Sequence, residues 1–534
     1  MLTQQGAPYY LIAIAILMTV FCVLRALPVT GLPGALQLRR LDLKTRVVAL
    51  TLLAAVTVGP YFYGNRSGAW LHHWDLFHTV ISTKYFSELG YTRLYQCSYA
   101  FDREDAKRFP TLAKMRDLAR DRVVNASQAL RDNDCDARFS PERKQQINDD
   151  LMFFNAISSR SRWHQLFSDK GFNGTPFYTA LCQAIIPDGP LSLPMLYGFA
   201  FIDLIVLALA FAVAAAAFGA ETTLVALLFF CVNFPNNYAH MGGSLLRFDY
   251  VAALIAGVSC LKLKRPGLAG VLLTYAAFER VYPVLLIVGL GIHMIYQAVT
   301  QRRLANDAKR FMLSGLISAG VCAAISLLPG GFSAWRDWLE NMLVHTRLSA
   351  GLRMGFQHLF MLQGNLMGEQ GFVDYPAKAK FLAQIKPLYF VCVLVMLAPT
   401  IRLIRRLNRL DFANYFLLLT FFLLIVATRY YYSLLVVAMF LTLRDDNEEP
   451  PNSIWGLRAL FFACAAIGWS VSRMTQFYPF LYNTLASSLV LLCLIATSLV
   501  LLHQTGDLSR LRTMFTRSPA ARGPTTRDEA PQSD

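Results

Sequence analysis

The chain has 534 residues, 55% of them apolar and only 16% charged, with a mean hydropathy of +0.40. That composition excludes a soluble protein of this length and points to an all-α polytopic membrane protein. A net charge of +16 would suit nucleic acid, but Lys and Arg gather in short segments between apolar stretches, as the positive-inside rule arranges them, so no nucleic-acid partner is expected.

The first apolar stretch, Tyr9 to Leu24, is followed but not preceded by basic residues (Arg25, Arg39, Arg40, Lys44, Arg46), which predicts a retained anchor with its N-terminus outside. Residues 1–46 thus form an extra N-terminal helix and a cytosolic loop. A second span, Val47 to Tyr63, runs outward and delivers Trp70-Leu-His-His-Trp-Asp-Leu-Phe-His78, where a carboxylate, three imidazoles and two indoles fall within nine residues. From Leu76 the apolar positions Phe77, Val80, Ile81, Tyr85 and Leu89 recur at helical spacing, and Gly90 sits where a helix stops. Asp75 stands where that helix begins, a place that suits an N-cap as well as a base.

An external loop domain, partly helical, is expected over 64–194. Ser140-Pro-Glu-Arg143 reads as a helix start in it, and Cys97 and Cys135 would pair there if the loop faces an oxidising compartment. Seven of the ten cysteines lie inside apolar segments as small hydrophobes, and no Cys or His spacing suggests a metal site. Spans follow at Leu196–Phe218, Thr222–Tyr238 and Phe248–Leu261, and Lys262-Leu-Lys-Arg265 closes the last on the inside. The apolar run from Gly267 to Val299 is too long for one helix and has basic clusters beyond both ends, so it goes out and returns with Glu279 and Arg280 at the external turn. Phe311–Leu328 follows and closes a membrane module over 47–330. A second external loop then covers 331–386. Pro387–Ile404, Phe412–Ala427, Tyr430–Leu443, Trp455–Val471 and Leu481–His503 make up the C-terminal helices of 387–503, and 504–534 reads as a disordered cytosolic tail. The total is about 13 spans with the C-terminus in the cytosol.

This topology gathers Asp75, Arg247, Asp249, Glu279, Arg280 and Arg429 on the external face. Ionisable groups at membrane depth are costly and mark sites or pair with one another. The planar guanidinium suits a phosphate, so Arg247, Arg280 and Arg429 are candidate phosphate ligands. Each has an alternative role: Arg247 and Asp249 can pair locally, Arg280 can pair with Glu279, and Arg429, before Tyr430-Tyr-Tyr432, fits an interfacial anchor. His73 and His78 read as supporting residues, with Asp249, Glu279 and Tyr282 beside them.

A membrane span, then an external loop with a lone Asp near aromatic residues, then Tyr85-Phe-Ser-Glu-Leu-Gly-Tyr91 and Leu94-Tyr95, resembles the GT-C superfamily of polyprenol-phosphate-sugar-dependent glycosyltransferases, nearest to the family-87, mannosyltransferase-like type. Gly242-Gly-Ser-Leu-Leu-Arg-Phe-Asp249 and Glu279-Arg-Val-Tyr-Pro283 agree with it, and the likeness covers Val47 to Leu290. It implies a GT-C-like helical bundle in a cell membrane, such as a bacterial inner membrane, with an extracytoplasmic active site. It also implies a polyprenyl-phosphate sugar as donor, a glycan or glycolipid as acceptor, membrane lipids as surroundings, Asp75 as general base and inversion at the sugar. Trp74-Asp75 lacks the adjacent acid pair of many relatives, so a divalent metal cofactor is not expected. The rival readings are a glycan polymerase or ligase, whose main external loop commonly comes late, and a lipid or solute transporter, for which Asp203 and His293 are the intramembrane candidates.

Overall fold

The computed structural model describes residues 7–27, 41–63, 70–105, 108–131, 134–236, 242–347, 353–361, 380–381, 383–443, 449–472 and 479–506. The expected tail beyond 506, Arg39, Arg40 and most of the second external loop lie outside these residues.

Among the described residues eight helices are long and apolar enough to cross a membrane. The chain begins with α1 (Ala7–Ala26) and α2 (Leu43–Tyr63), then builds a separate domain outside the membrane helices, the domain expected from sequence to be external. This domain contains α3 (His73–Leu76), a π-helical turn Phe77–Ile81, α4 (Leu94–Asp105), a hairpin of β1 (Lys114–Asp117) and β2 (Arg122–Asn125), α5 (Pro141–Ile157), α6 (Arg162–Leu166) and α7 (Pro176–Ile185). Ser140 caps α5 through a hydrogen bond accepted from Arg143 N–H, with Pro141 in the first turn, as its sequence predicts. A disulfide joins Cys97 to Cys135. The domain buries its own core, with Phe77, Tyr95, Phe154, Trp163 and Phe167 at its centre.

The membrane part follows with α8 (Leu193–Phe218), α9 (Ala220–Val232), α10 (Asp249–Lys262), α11 (Pro266–Glu279), α12 (Val284–Gln301), α13 (Asn306–Ser326) and the external α14 (Gly331–Arg347). After α14 come a short strand β3 (Arg353–Met354), α15 (Lys386–Leu403), α16 (Arg409–Leu424), β4 (Ala427–Thr428), a 3-10 helix Arg429–Phe440, α17 (Asn452–Val471) and α18 (Pro479–Gln504). These elements share one large core, except α14, whose Ala334 belongs to the core of the first domain. The residues they leave exposed are apolar, for example Ile16, Leu52, Ile205, Val299, Leu316 and Leu394, which is what a lipid-facing surface requires.

Each of the thirteen expected segments contains a helix, but five of these helices are too short to cross a bilayer as regular spans: α9 has 13 residues, α10 and α11 have 14, α16 has 16 and the 3-10 helix has 12. A helix rises about 1.5 Å per residue, so 14 residues cover about 21 Å of a core that is about 30 Å thick. Hydropathy cannot see this, because a helix buried on every side by protein is as apolar as one in lipid. The segment expected as the regular span Tyr430–Leu443 differs most. It stays 3-10 because protein encloses it: Leu434 to Phe440 are buried, Tyr432 carbonyl accepts from Asn233 Nδ2 (2.9 Å), Met439 carbonyl from Arg458 Nη2 (2.7 Å), and Asp411 takes the Thr442 and Leu443 N–H groups.

The N-terminal helix is tied in at one end. Arg25 Nε (3.1 Å) and Arg46 Nε (2.9 Å) both reach Glu221 Oε1 in the first turn of α9, and Arg25 lies over the Trp455 ring.

Candidate active site

The site lies at the seam between the two cores, where the external domain meets the start of α10. Two backbone segments dock there directly, with His72 N–H donating to Gly243 carbonyl (2.7 Å). Gly243 has φ +78, and a Cβ on it would sit 2.1 Å from the Trp70 carbonyl oxygen, so only glycine allows this approach. Leu246 also has a positive φ, of 49°, and turns the chain just before Arg247. Buried Asp203 of α8 holds the turn by accepting the N–H groups of Arg247 and Phe248, each at 3.0 Å. This is a structural task for a residue that a transporter reading would place in a proton path.

Asp75 does not cap its own helix. His72 does, its Nδ1 accepting from the Asp75 N–H (3.2 Å), which leaves the Asp75 carboxylate free to face Arg247. The pair is bidentate: Arg247 Nε donates to Oδ2 at 2.6 Å, and Nη2 donates to Oδ1. Burial would raise the Asp75 pKa, but the charge and hydrogen bonds of Arg247, helped by His72, outweigh it and hold the carboxyl well below the usual carboxylate range.

Arg280 closes α11. Its guanidinium stacks 4.3 Å above the ring of Tyr178, on α7, and the Arg247 guanidinium lies 5.9 Å from the same ring. Tyr178 is fixed by donating to the Leu245 carbonyl (2.8 Å). One nitrogen of Arg280, Nη1, meets Glu279 Oε1 at 2.9 Å, so the pairing alternative is realised. Among the described residues Nε and Nη2 of Arg280 are nevertheless buried without a protein partner, two donors of one fork left open. Asp249 accepts from Tyr275 hydroxyl on Oδ2 (2.6 Å), while its Oδ1 has no partner among the described residues. It does not form the local pair with Arg247, which belongs to Asp75.

Tyr282 packs edge-on to Tyr431 at 4.6 Å, and Tyr430 and Tyr431 lie within electrostatic reach of Arg247 and Arg280. Arg429 turns the other way and lies 4.9 Å over the Tyr482 ring of α18, so the structure shows no direct contact between it and the cluster among the described residues. His78 sits in the π-helical turn, buried, 2.6 Å from Tyr95 hydroxyl and with Asp169 4.0 Å from Nδ1. Burial outweighs the pull of Asp169 and Asp75 and lowers its pKa, so it is neutral near pH 7. His73 lines a cavity beside the site rather than the Asp75–Arg247 pair.

Three residues of this arrangement escape a reading of the sequence. Tyr178 is one aromatic residue among many, and only the docking of α7 puts it under two guanidiniums. Asp203 looks like a lone acid within a span. Arg353 belongs to β3, paired with β4, and its charge acts on Tyr282 and Lys170. Its sequence neighbours show neither the strand nor its partner.

Residues 176–428 match the family model described as glycosyltransferase family 87. No curated protein and no solved structure is matched. The matched segment takes in Tyr178, Asp203, Arg247, Asp249, Glu279, Arg280 and Tyr282, leaves Asp75 outside, and extends well past Leu290, where the motif likeness ends.

Proposed function

We propose, with the family-87 glycosyltransferase module at residues 176–428 as premise, that this multi-pass membrane protein transfers a sugar from a polyprenyl-phosphate-linked donor to an extracytoplasmic glycan or glycolipid acceptor. Asp75 is the general base, and the sugar inverts. The observation that carries the reading is the bidentate Asp75–Arg247 pair with Arg280 stacked on the same Tyr178 ring, its Nε and Nη2 unclaimed. A base and two phosphate-seeking forks thus share one small space.

The chemistry follows from this placement. The acceptor hydroxyl oxygen attacks the anomeric carbon while the bond from that carbon to the phosphate oxygen breaks. The hydroxyl proton passes to Asp75, and the polyprenyl phosphate leaves with the bonding pair. A carboxylate gripped by Arg247 is a weak base, because the ion pair lowers its proton affinity. When the donor phosphate enters, it competes for the same fork. Arg247 and Arg280 then neutralise the leaving group, and Asp75 regains its basicity as the acceptor arrives. The guanidiniums serve where a divalent metal would otherwise stabilise the phosphate.

The disulfide supports the extracytoplasmic placement, since such bonds persist in oxidising compartments. The long external domain early in the chain favours the transferase over a polymerase or ligase, and the capping role of Asp203 removes one of the two intramembrane residues a transporter would use. The test is to offer purified protein a panel of polyprenyl-phosphate sugars with membrane glycolipid acceptors and to determine the anomeric configuration of the product. Consumption of one donor with inversion is expected. Retention, or consumption of nucleotide sugars alone, would overturn the reading.

A further inference from the structure

We infer that the cavity on the far side of Trp74 from the ion pair is a saccharide subsite, which holds a non-reacting sugar unit of the acceptor. The inference rests on the reading of Asp75 as the base and adds a place for the substrate that Asp75 deprotonates.

The cavity, of about 170 Å³, opens on the external domain between the start of α3 and the α5–α6 turn, and is lined by His73, Trp74, Ser158, Ser159, Arg162 and Trp163, with Ile157 and Leu166 behind them. A sugar ring presents apolar C–H faces and a rim of hydroxyls, so a pocket that recognises one needs a flat apolar surface with donors and acceptors around it. Trp74 supplies the surface. Its indole N–H is already committed to Asp169 Oδ2 at 2.7 Å, so the ring is fixed and what remains to offer is its face. Trp163 is wedged against Phe77 (5.3 Å) and Phe109 (4.4 Å), and its own N–H is buried without a protein partner among the described residues. Arg162 and Ser159 are exposed and Ser158 half-buried, and none of the three side chains has a protein hydrogen bond among the described residues.

The position links this pocket to the chemistry. Trp74 and Asp75 are consecutive, with Cα atoms about 3.8 Å apart. On a helix their side chains diverge by about 100°, so one faces the cavity and the other the ion pair. An acceptor whose penultimate unit rests on Trp74 reaches Asp75 with its terminal unit. No carboxylate among the described residues lines the cavity, and Arg162 and His73 make it suit neutral or acidic sugars rather than amino sugars.

The experiment is saturation-transfer NMR on the full-length protein in nanodiscs, with methyl α-mannopyranoside, methyl α-glucopyranoside and methyl α-galactopyranoside as probes. At least one should receive saturation, most strongly at the ring C–H protons that stack on an indole. Trp74→Ala should abolish the signal, and Arg162→Ala, which removes an exposed side chain and little packing, should weaken it severalfold. Asp75→Asn should retain it. No saturation of any glycoside, or a signal untouched by both cavity substitutions, would overturn the subsite. The readout needs no turnover. Glycoside binding at the cavity without transfer from any polyprenyl donor would therefore sink the donor assignment and leave the subsite standing, and normal transfer without cavity binding would do the reverse.

Discussion

At the scale of single residues, the account turns on how Arg247 divides its fork. In the free protein it grips Asp75, and the carboxyl pKa is depressed despite burial that would raise it. A group with a depressed folded pKa adds stability above its unfolded value of about 3.9 and loses it as pH falls through the folded pKa. Asp75 is therefore ionised across the whole working range of the free protein. The acid limb of kcat/KM reports the free enzyme and that of kcat the enzyme–substrate complex. If the donor phosphate draws Arg247 away, the kcat limb should lie at higher pH than the kcat/KM limb, because burial then acts on Asp75 with less opposition. In Arg247→Gln the two limbs should coincide, both shifted upward. Coincident limbs in the wild type, measured over pH 3 to 8, would show that Arg247 stays on Asp75 throughout.

Among elements, the decisive joint is backbone to backbone. The segment Gly242 to Phe248 docks on Trp70 to His72, and this contact places Arg247 opposite Asp75 although 172 residues separate them in sequence. Gly243→Ala would put a methyl group where the Trp70 carbonyl oxygen lies, at a positive φ that only glycine takes easily. The segments must then part, at a cost of about 1–3 kcal/mol. Because a displacement of about 1 Å in a reacting group can cost about 100-fold, sugar transfer should fall by at least 10-fold while the thermal midpoint drops only modestly. Wild-type transfer by Gly243→Ala would show that the docking does not position the site. The sequence carries part of this element: the Gly-Gly-Ser-Leu-Leu-Arg-Phe-Asp motif and the helical spacing after Leu76 are both legible. The cap is not. Asp75 occupies a favourable capping place, yet His72 lies three residues before its N–H and takes the bond instead. Residue type alone cannot decide between two side chains that reach the same turn. The pairing of Arg247 with Asp75 rather than with its neighbour Asp249 is equally invisible, because the alternatives differ only in three-dimensional contact.

For the whole molecule, hydropathy reveals the class and the thirteen helical segments but overstates how many of them are regular spans. Five are short; α9, α10, α16 and the 3-10 helix Arg429–Phe440 are mostly enclosed by protein, whereas α11 keeps an exposed apolar face at Leu268 and Val271. The sidedness rests on alternation of charge and on the disulfide of the external domain, and it can be tested directly. A cysteine introduced at exposed Ser159 should react with an impermeant maleimide on intact cells, whereas one at exposed Lys264, beyond α10, should react only after permeabilisation. The opposite pattern would put Asp75 on the cytosolic face and remove the lipid-linked donor from consideration.

In the proposed reaction Asp75 takes the acceptor proton while the guanidiniums hold the donor. Single-turnover sugar transfer by Asp75→Asn, measured together with donor binding by the same protein, tests it most directly. Donor binding should be as tight as in the wild type or tighter, because Arg247 no longer has a competing carboxylate, and transfer should be slowed about 100- to 10,000-fold by loss of the base. Transfer at the wild-type rate, or loss of donor binding with the chemistry intact, would contradict it.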